Sequence, residues 1–323
     1  MLVAVAVLLV IAISVGVTLF FTRDGSGGGG PTETSTPPTA SGIASANDTG
    51  PVAIITSDPT CDGWRPLQNA LAASQSEGWR QRSPTTPASE WTPDQRAQFE
   101  AAGNGMRATS DQALDLAKRT PHRVMRELYE QFVAYGRAYA ESLATYVPDD
   151  DLLSRVNVSL SRTISTICDA IGQGNVIGRA STVPAAQTPS DPPDGGFSGD
   201  PERFLTGVTR TCADWVVGSA SFEAELQEWS RQDTQIPATS WTPEQRSVQE
   251  TAADAFTRYA SKIEQLGRGS GNPVFEDFAT LSALYFRAYA NSTSTYTAAD
   301  DYVVTPGLRL NNAIASACQA TAK

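Results

Sequence analysis

Histidine is almost missing from this sequence: His122 is the single one among 323 residues. Zinc sites and Ser-His or Cys-His nucleophile pairs draw on imidazole, so their scope is narrow here. Basic charge is short as well, with 24 Lys plus Arg against 35 Asp plus Glu and a net charge of −11, which excludes a basic coat for general nucleic-acid binding. No phosphate-binding loop, G-x-S-x-G elbow, H-E-x-x-H helix or dinucleotide fingerprint occurs, and Gly267-Arg268-Gly269-Ser270-Gly271 lacks a preceding strand. The four cysteines include no C-x-x-C pair, so no metal is expected. No cofactor, no nucleic acid and no enzymatic activity are expected. At 40% apolar residues the chain is nonetheless too hydrophobic for full disorder.

Charge is absent from residues 1–22, MLVAVAVLLVIAISVGVTLFFT. As a helix rising 1.5 Å per residue this run reaches about 33 Å, enough to cross the hydrocarbon core. Small-residue cleavage patterns fall inside the run or, at Ala44-Ser45-Ala46, too far beyond it, so an uncleaved single-pass anchor is expected, with residues 2–21 in the membrane. Arg23 alone favours a cytoplasmic carboxyl side. Four evenly placed cysteines outweigh it, because disulfides persist outside the cytoplasm, and they point to an extracytoplasmic body on the cytoplasmic membrane.

Residues 23–60, rich in Gly, Ser, Thr and Pro, read as a disordered tether, and 181–201 as a second linker. Sliding the sequence against itself reveals a duplication. At an offset of 150, Trp79, Pro87 and Trp91-Thr92-Pro93-Asp94-Gln95-Arg96 fall on Trp229, Pro237 and Trp241-Thr242-Pro243-Glu244-Gln245-Arg246. Arg137-Ala138-Tyr139-Ala140 falls on Arg287-Ala288-Tyr289-Ala290, and Cys168 on Cys318; Cys61 and Trp64 match Cys212 and Trp215 at 151. Copy A is placed at 61–172 and copy B at 202–323.

Each copy reads as four helices. Thr92-Pro93-Asp94-Gln95 and Thr242-Pro243-Glu244-Gln245 carry a Thr cap, Pro at the first helical position and Gln three residues after the cap. Further starts are expected at Thr120-Pro121, at Asn272-Pro273, and near Asp149-Asp150-Asp151 and Asp300-Asp301, where the acids read as caps. In an up-down-up-down bundle the start of the first helix and the end of the fourth share one end. Three cysteine pairings are possible, and the duplication favours Cys61 with Cys168 and Cys212 with Cys318. Each closes a loop worth about 4 to 5 kcal/mol in the chain-entropy view. The fold expected is all-α: an N-terminal transmembrane helix, a flexible linker and two tandem disulfide-closed four-helix bundles.

Arg137 and Arg287 stand among alanines and tyrosines, where a guanidinium needs a carboxylate or a bound anion. Together with Tyr135, Tyr139, Tyr285 and Tyr289 they are the candidate ligand-binding residues, with internal ion pairs as the plainer reading. The long Arg80–Thr92 and Ser230–Thr242 connections, flanked by tryptophans, read first as packed loops and second as aromatic binding walls. Lys118, Arg119, Arg123 and Arg126 form a basic turn, placed at the disulfide end of the bundle, that would suit lipid headgroups or an acidic partner.

The W-T-P-[DE]-Q-R element and the run Thr120-Pro121-His122-Arg123-Val124-Met125-Arg126-Glu127-Leu128-Tyr129-Glu130-Gln131-Phe132-Val133-Ala134-Tyr135 resemble those of membrane-anchored proteins of unassigned function in mycobacteria and related actinobacteria. The resemblance covers both helical blocks. It implies the cell envelope as the setting and supplies no catalytic residue; 21 Arg to 3 Lys suits such a host. The expected function is therefore a non-catalytic interaction or scaffold protein of the envelope with a protein partner. The alternatives are a module binding an anionic or amphipathic molecule or lipid and, third, an envelope hydrolase working through paired carboxylates.

Overall fold

Thr92 and Thr242 do what their neighbours predict: each hydroxyl accepts from the backbone N–H three residues on, and the Gln at that position accepts in return from the Thr backbone. From these caps run the two longest helices of a computed structural model that describes residues 42–75, 78–189 and 197–321. Copy A contains α1 (Cys61–Ser74), α2 (Pro93–Arg119), α3 (Arg123–Ser142) and α4 (Asp151–Gln173), followed by a short α5 (Asn175–Ala180). Copy B contains α6 (Arg210–Glu225), α7 (Pro243–Arg268), α8 (Pro273–Ser292) and α9 (Asp301–Ala320). The start expected at Thr120-Pro121 comes later: Thr120 closes α2, and α3 opens at Arg123 with His122 in the capping position. No strand occurs among the described residues.

In both copies neighbouring helices pack in a ring of four, first on second, second on third, third on fourth and fourth on first. Disulfides Cys61–Cys168 and Cys212–Cys318 close the rings, with Cα atoms 5.4 and 5.0 Å apart, as the duplication predicts. The long loops are pinned identically. Trp91 Nε1 donates to the Thr86 carbonyl and Tyr146 Oη to the Pro84 carbonyl, while Trp241 and Tyr296 do the same to Ile236 and Thr234. Trp91 stacks on Phe99, and Trp241 on Tyr296.

The copies are not beads on a string. From Ser41 onward the chain forms one compact unit, in which α4 lies along α9 as the most extensive helix contact and α3 meets α8. Two irregular segments strap them together. Residues 42–60 were expected to belong to a disordered tether; instead Ile43, Val52, Ile54 and Ile55 are buried, and the last three join the hydrophobic core, which removes their apolar surface from water. The Ile55 backbone lies against the hydroxyl of Tyr285 in copy B. Reciprocally, residues 197–209 lead into copy B, yet the Leu205 carbonyl accepts from Tyr135 Oη of copy A at 3.5 Å and Phe204 N donates to Gln131 Oε1 at 2.8 Å. Residues 55 and 205, like 135 and 285, are 150 apart, so the straps are exchanged about the pseudo-symmetry of the duplication. Part of the expected 181–201 linker is tied down too, with the Thr182 carbonyl accepting from Asn291.

The expected anchor at 1–22 and the tether from 23 to 41 lie outside the described residues. Among the described residues no helix is long and apolar enough to cross a membrane.

Candidate functional site

Where α3 and α8 meet, the duplication places Glu127 opposite Asp277, one acid from each copy. Two buried carboxylates on a shared axis repel, and a third group resolves the conflict. Arg123, only 1% exposed, donates from Nε to Asp277 Oδ2 at 2.6 Å and from Nη2 to Oδ1 at 3.2 Å. Its Nη1 donates to the Asp48 and Gly50 carbonyls of the first strap at 2.5 and 3.1 Å, and its backbone N–H to Asp48 Oδ2 at 2.6 Å. One guanidinium thus joins strap, copy A and copy B. At the position of Arg123 copy B has Pro273.

Glu127 is left 4.0 Å from Arg123 Nε with neither carboxylate oxygen hydrogen-bonded. Burial first, and the Asp277 charge second, push its proton affinity well above the usual glutamate range. Glu130, one turn on, is pushed up to about 7 by burial, with Arg126 3.9 Å away pulling the other way.

The basic turn therefore divides. Lys118 and Arg119 are exposed, but Arg123 and Arg126 are each 1% exposed, and this corrects the expectation that all four face lipid or a partner. Asp277, which takes the Arg123 guanidinium, lies far away in sequence, whereas the acid beside Arg126 is Glu130, one turn on. The turn does sit at the disulfide end: Thr120 Oγ1 donates to Asp58 Oδ2 at 2.5 Å, and His122 Nε2 is 2.8 Å from the Ser57 carbonyl.

Arg137 and Arg287 have internal partners. Arg137 donates from Nε and Nη2 to Asp111 Oδ1 at 3.0 and 2.7 Å and reaches Asp200; Arg287 donates to Glu264 at 2.6 Å. Tyr135, Tyr139 and Tyr285 are fully buried and Tyr289 nearly so, and burial pushes all four phenols above their ordinary range. Trp229 Nε1 donates to Tyr289 Oη at 2.8 Å, whereas the buried Tyr139 hydroxyl has no hydrogen-bond partner. Asp150 accepts from the Val147 backbone as a capping acid, and Asp151 from Arg82 and Arg155.

The clefts that open on the surface include four of about 200 to 1020 Å³, and none of these four is lined by these tyrosines or by Arg287. Arg137 borders one of about 420 Å³ with Arg203. The largest, about 1020 Å³, runs between the copies and is walled by Arg82, Arg155 and Arg162 from one side and by Asn312, Ser316 and Gln319 from the other. The sequence singled out neither this cleft nor the Glu127–Arg123–Asp277 cluster, although the offset that aligns Glu127 with Asp277 carried the hint.

A family model described as Mycobacterial ESX-1 associated protein matches residues 43–323. The chain belongs to that family. The match starts where the first strap starts and takes in both straps and both copies, the same extent as the compact unit. An uncharacterised protein of Mycolicibacterium smegmatis (strain MKD8) is 42% identical over 285 residues, covering 88% of this chain and 76% of that relative. No solved structure matches.

Proposed function

We propose that this ESX-1 associated family member is an extracytoplasmic interaction module that presents a rigid two-copy body to a protein partner in the setting of ESX-1 secretion, without turning over a substrate. The observation that carries the proposal is the strapped interface: reciprocal segments and a buried Arg123–Asp277 pair fix two bundles as one platform. Rigid platforms lower the ordering cost of binding. The two disulfides favour an oxidising compartment, and the uncharged run at 1–22 would hold the body near the membrane.

The test is cross-linking in mycobacterial cells, purification of the full-length protein in mild detergent and quantitative mass spectrometry. A stoichiometric protein partner recovered with the wild-type protein supports the reading. Recovery without any protein partner, but with a small anion that Arg137→Ala releases from the 420 Å³ cleft, would replace it with the ligand-binding alternative. Labelling before reduction should find all four cysteines protected; free thiols would remove the main support for the outside location.

A further inference from the structure

Duplication provides an internal control for every charged side chain: whatever both copies need in order to fold, both should keep. The largest cleft fails that expectation in one respect. Copy A places Arg82, Arg155 and Arg162 on its wall, and copy B has Gln232, Thr305 and Asn312 at the same positions. The obvious structural role for two of these arginines is neutralising Asp151, which is 4% exposed and paired with both. Copy B keeps that acid as Asp301 and accommodates it without either arginine, its proton affinity raised by burial alone. The fold does not demand these cations. Copy B's other nearby arginines, Arg231 and Arg309, stand at the positions of Gln81 and Ser159 and line none of the cleft.

All three arginines border the cleft, two of them also tied to Asp151. Arg82 is braced, with its guanidinium 3.8 Å from the centre of the Trp79 ring, Nη1 on the Trp79 carbonyl and Nη2 on Asp151, and its buried Nε–H has no acceptor. The Arg155 side chain is 57% exposed beyond its contact to Asp151, and Arg162 is exposed. Facing them across the seam are Asn312, Ser316 and Gln319, amide and hydroxyl groups suited to peptide N–H and C=O, and the lining's one acid, Glu223, is outnumbered by the three arginines. On a chain of net charge −11 such a wall is a local exception, and it would attract and orient an anionic partner.

We propose that this cleft is a docking site for an acidic, extended polypeptide segment of a partner protein, with its carboxylates on Arg82, Arg155 and Arg162 and its backbone on the polar side chains of copy B. Size and openness favour a polypeptide: at about 1020 Å³, open along the seam, the cleft is at the upper end for a small-molecule site and does not enclose its contents. Bidentate guanidinium recognition suits carboxylates. The proposal rests on the interaction-module reading and names the surface and the chemistry that module would use.

The probe is fluorescein-labelled decaglutamate, with decaglutamine as control, titrated into detergent-solubilised full-length protein at low salt. The triple variant R82Q/R155T/R162N carries copy B's own residues, so it is expected to keep the wild-type helical circular dichroism. Wild type should bind decaglutamate, the triple variant about tenfold or more weakly, and Arg231→Gln like wild type, with all binding weakened by added salt. Equal binding by wild type and triple variant, or no preference for decaglutamate over decaglutamine, overturns the proposal. So does binding of phosphatidylglycerol vesicles, but not of decaglutamate, that depends on the three arginines, since it makes the cleft a lipid site. The cell cross-linking separates the two levels. A partner retained by the triple variant sinks the cleft and leaves the module reading standing; wild type without any partner sinks the module reading, while peptide binding still decides the cleft.

Discussion

At one level of the core, copy A has Gly136 on α3 and Asn157 on α4, while copy B has Phe286 on α8 and Gly307 on α9. The sizes are exchanged between facing helices. A Cβ on Gly136 would come within 2.7 Å of the Asn157 amide, and one on Gly307 within 2.9 Å of the Phe286 ring. Asn157 spends its amide on the Phe132 carbonyl, and Phe286 packs among Phe222, Phe256 and Tyr259. Two copies of one bundle thus fill the same level by opposite choices, a glycine on one helix making room for the larger side chain on the other. Charge behaves differently. Glu127 and Asp277 stay acidic in both copies, and only copy A supplies the guanidinium between them, so the pair of copies works as one unit where neither half is self-sufficient.

Breaking that asymmetry is expected to have the largest effect. Arg123→Met leaves Asp277 buried without its partner and should cost about 3 to 5 kcal/mol in chemical denaturation, with R123M/D277L costing less than the sum of its parts. Next comes the size exchange. Gly307→Asn should overpack against Phe286 and lose about 1 to 3 kcal/mol, and adding Phe286→Gly, which reproduces the pairing of copy A, should recover part of that loss.

The acids of copy A predict a pH dependence of definite sign. Glu127 and Glu130 bind a proton more tightly in the folded protein than in the unfolded chain, whose glutamates titrate near 4.5. Their contribution is complete below that pH and declines as pH rises, through about 7 for Glu130. The melting temperature should fall from about pH 5 to about pH 8, and Glu127→Gln should flatten the profile. The smallest effect is expected at the matched arginines. Arg137→Gln should cost under about 1 kcal/mol, since Asp111 is 54% exposed, and Arg287→Gln somewhat more, since Glu264 is 12% exposed.

Local signals made the helices legible. Thr92 and Thr242 announced their caps, and the 150-residue offset yielded the disulfide pairing. The straps stayed hidden because Ile43, Val52, Ile54 and Ile55 follow no helical period and sit among Gly, Thr, Ser and Pro, where composition reads as tether. Buried polar positions were hidden for a related reason: Ser165 and Asn311 look solvent-facing until Trp64 in copy A, and Trp215, Tyr259 and Ser219 in copy B, hydrogen-bond them. The burial of Arg123 turns on Asp277, a contact between copies that no local pattern encodes.

Scanning calorimetry of the full-length protein tests most directly whether straps and ion pair make two bundles one body. A single transition whose calorimetric and van't Hoff enthalpies agree is predicted, shifting as a whole to lower temperature with Ile55→Ala or with Leu205→Ala. Two separable transitions, each moved by only one of these substitutions, would contradict the account.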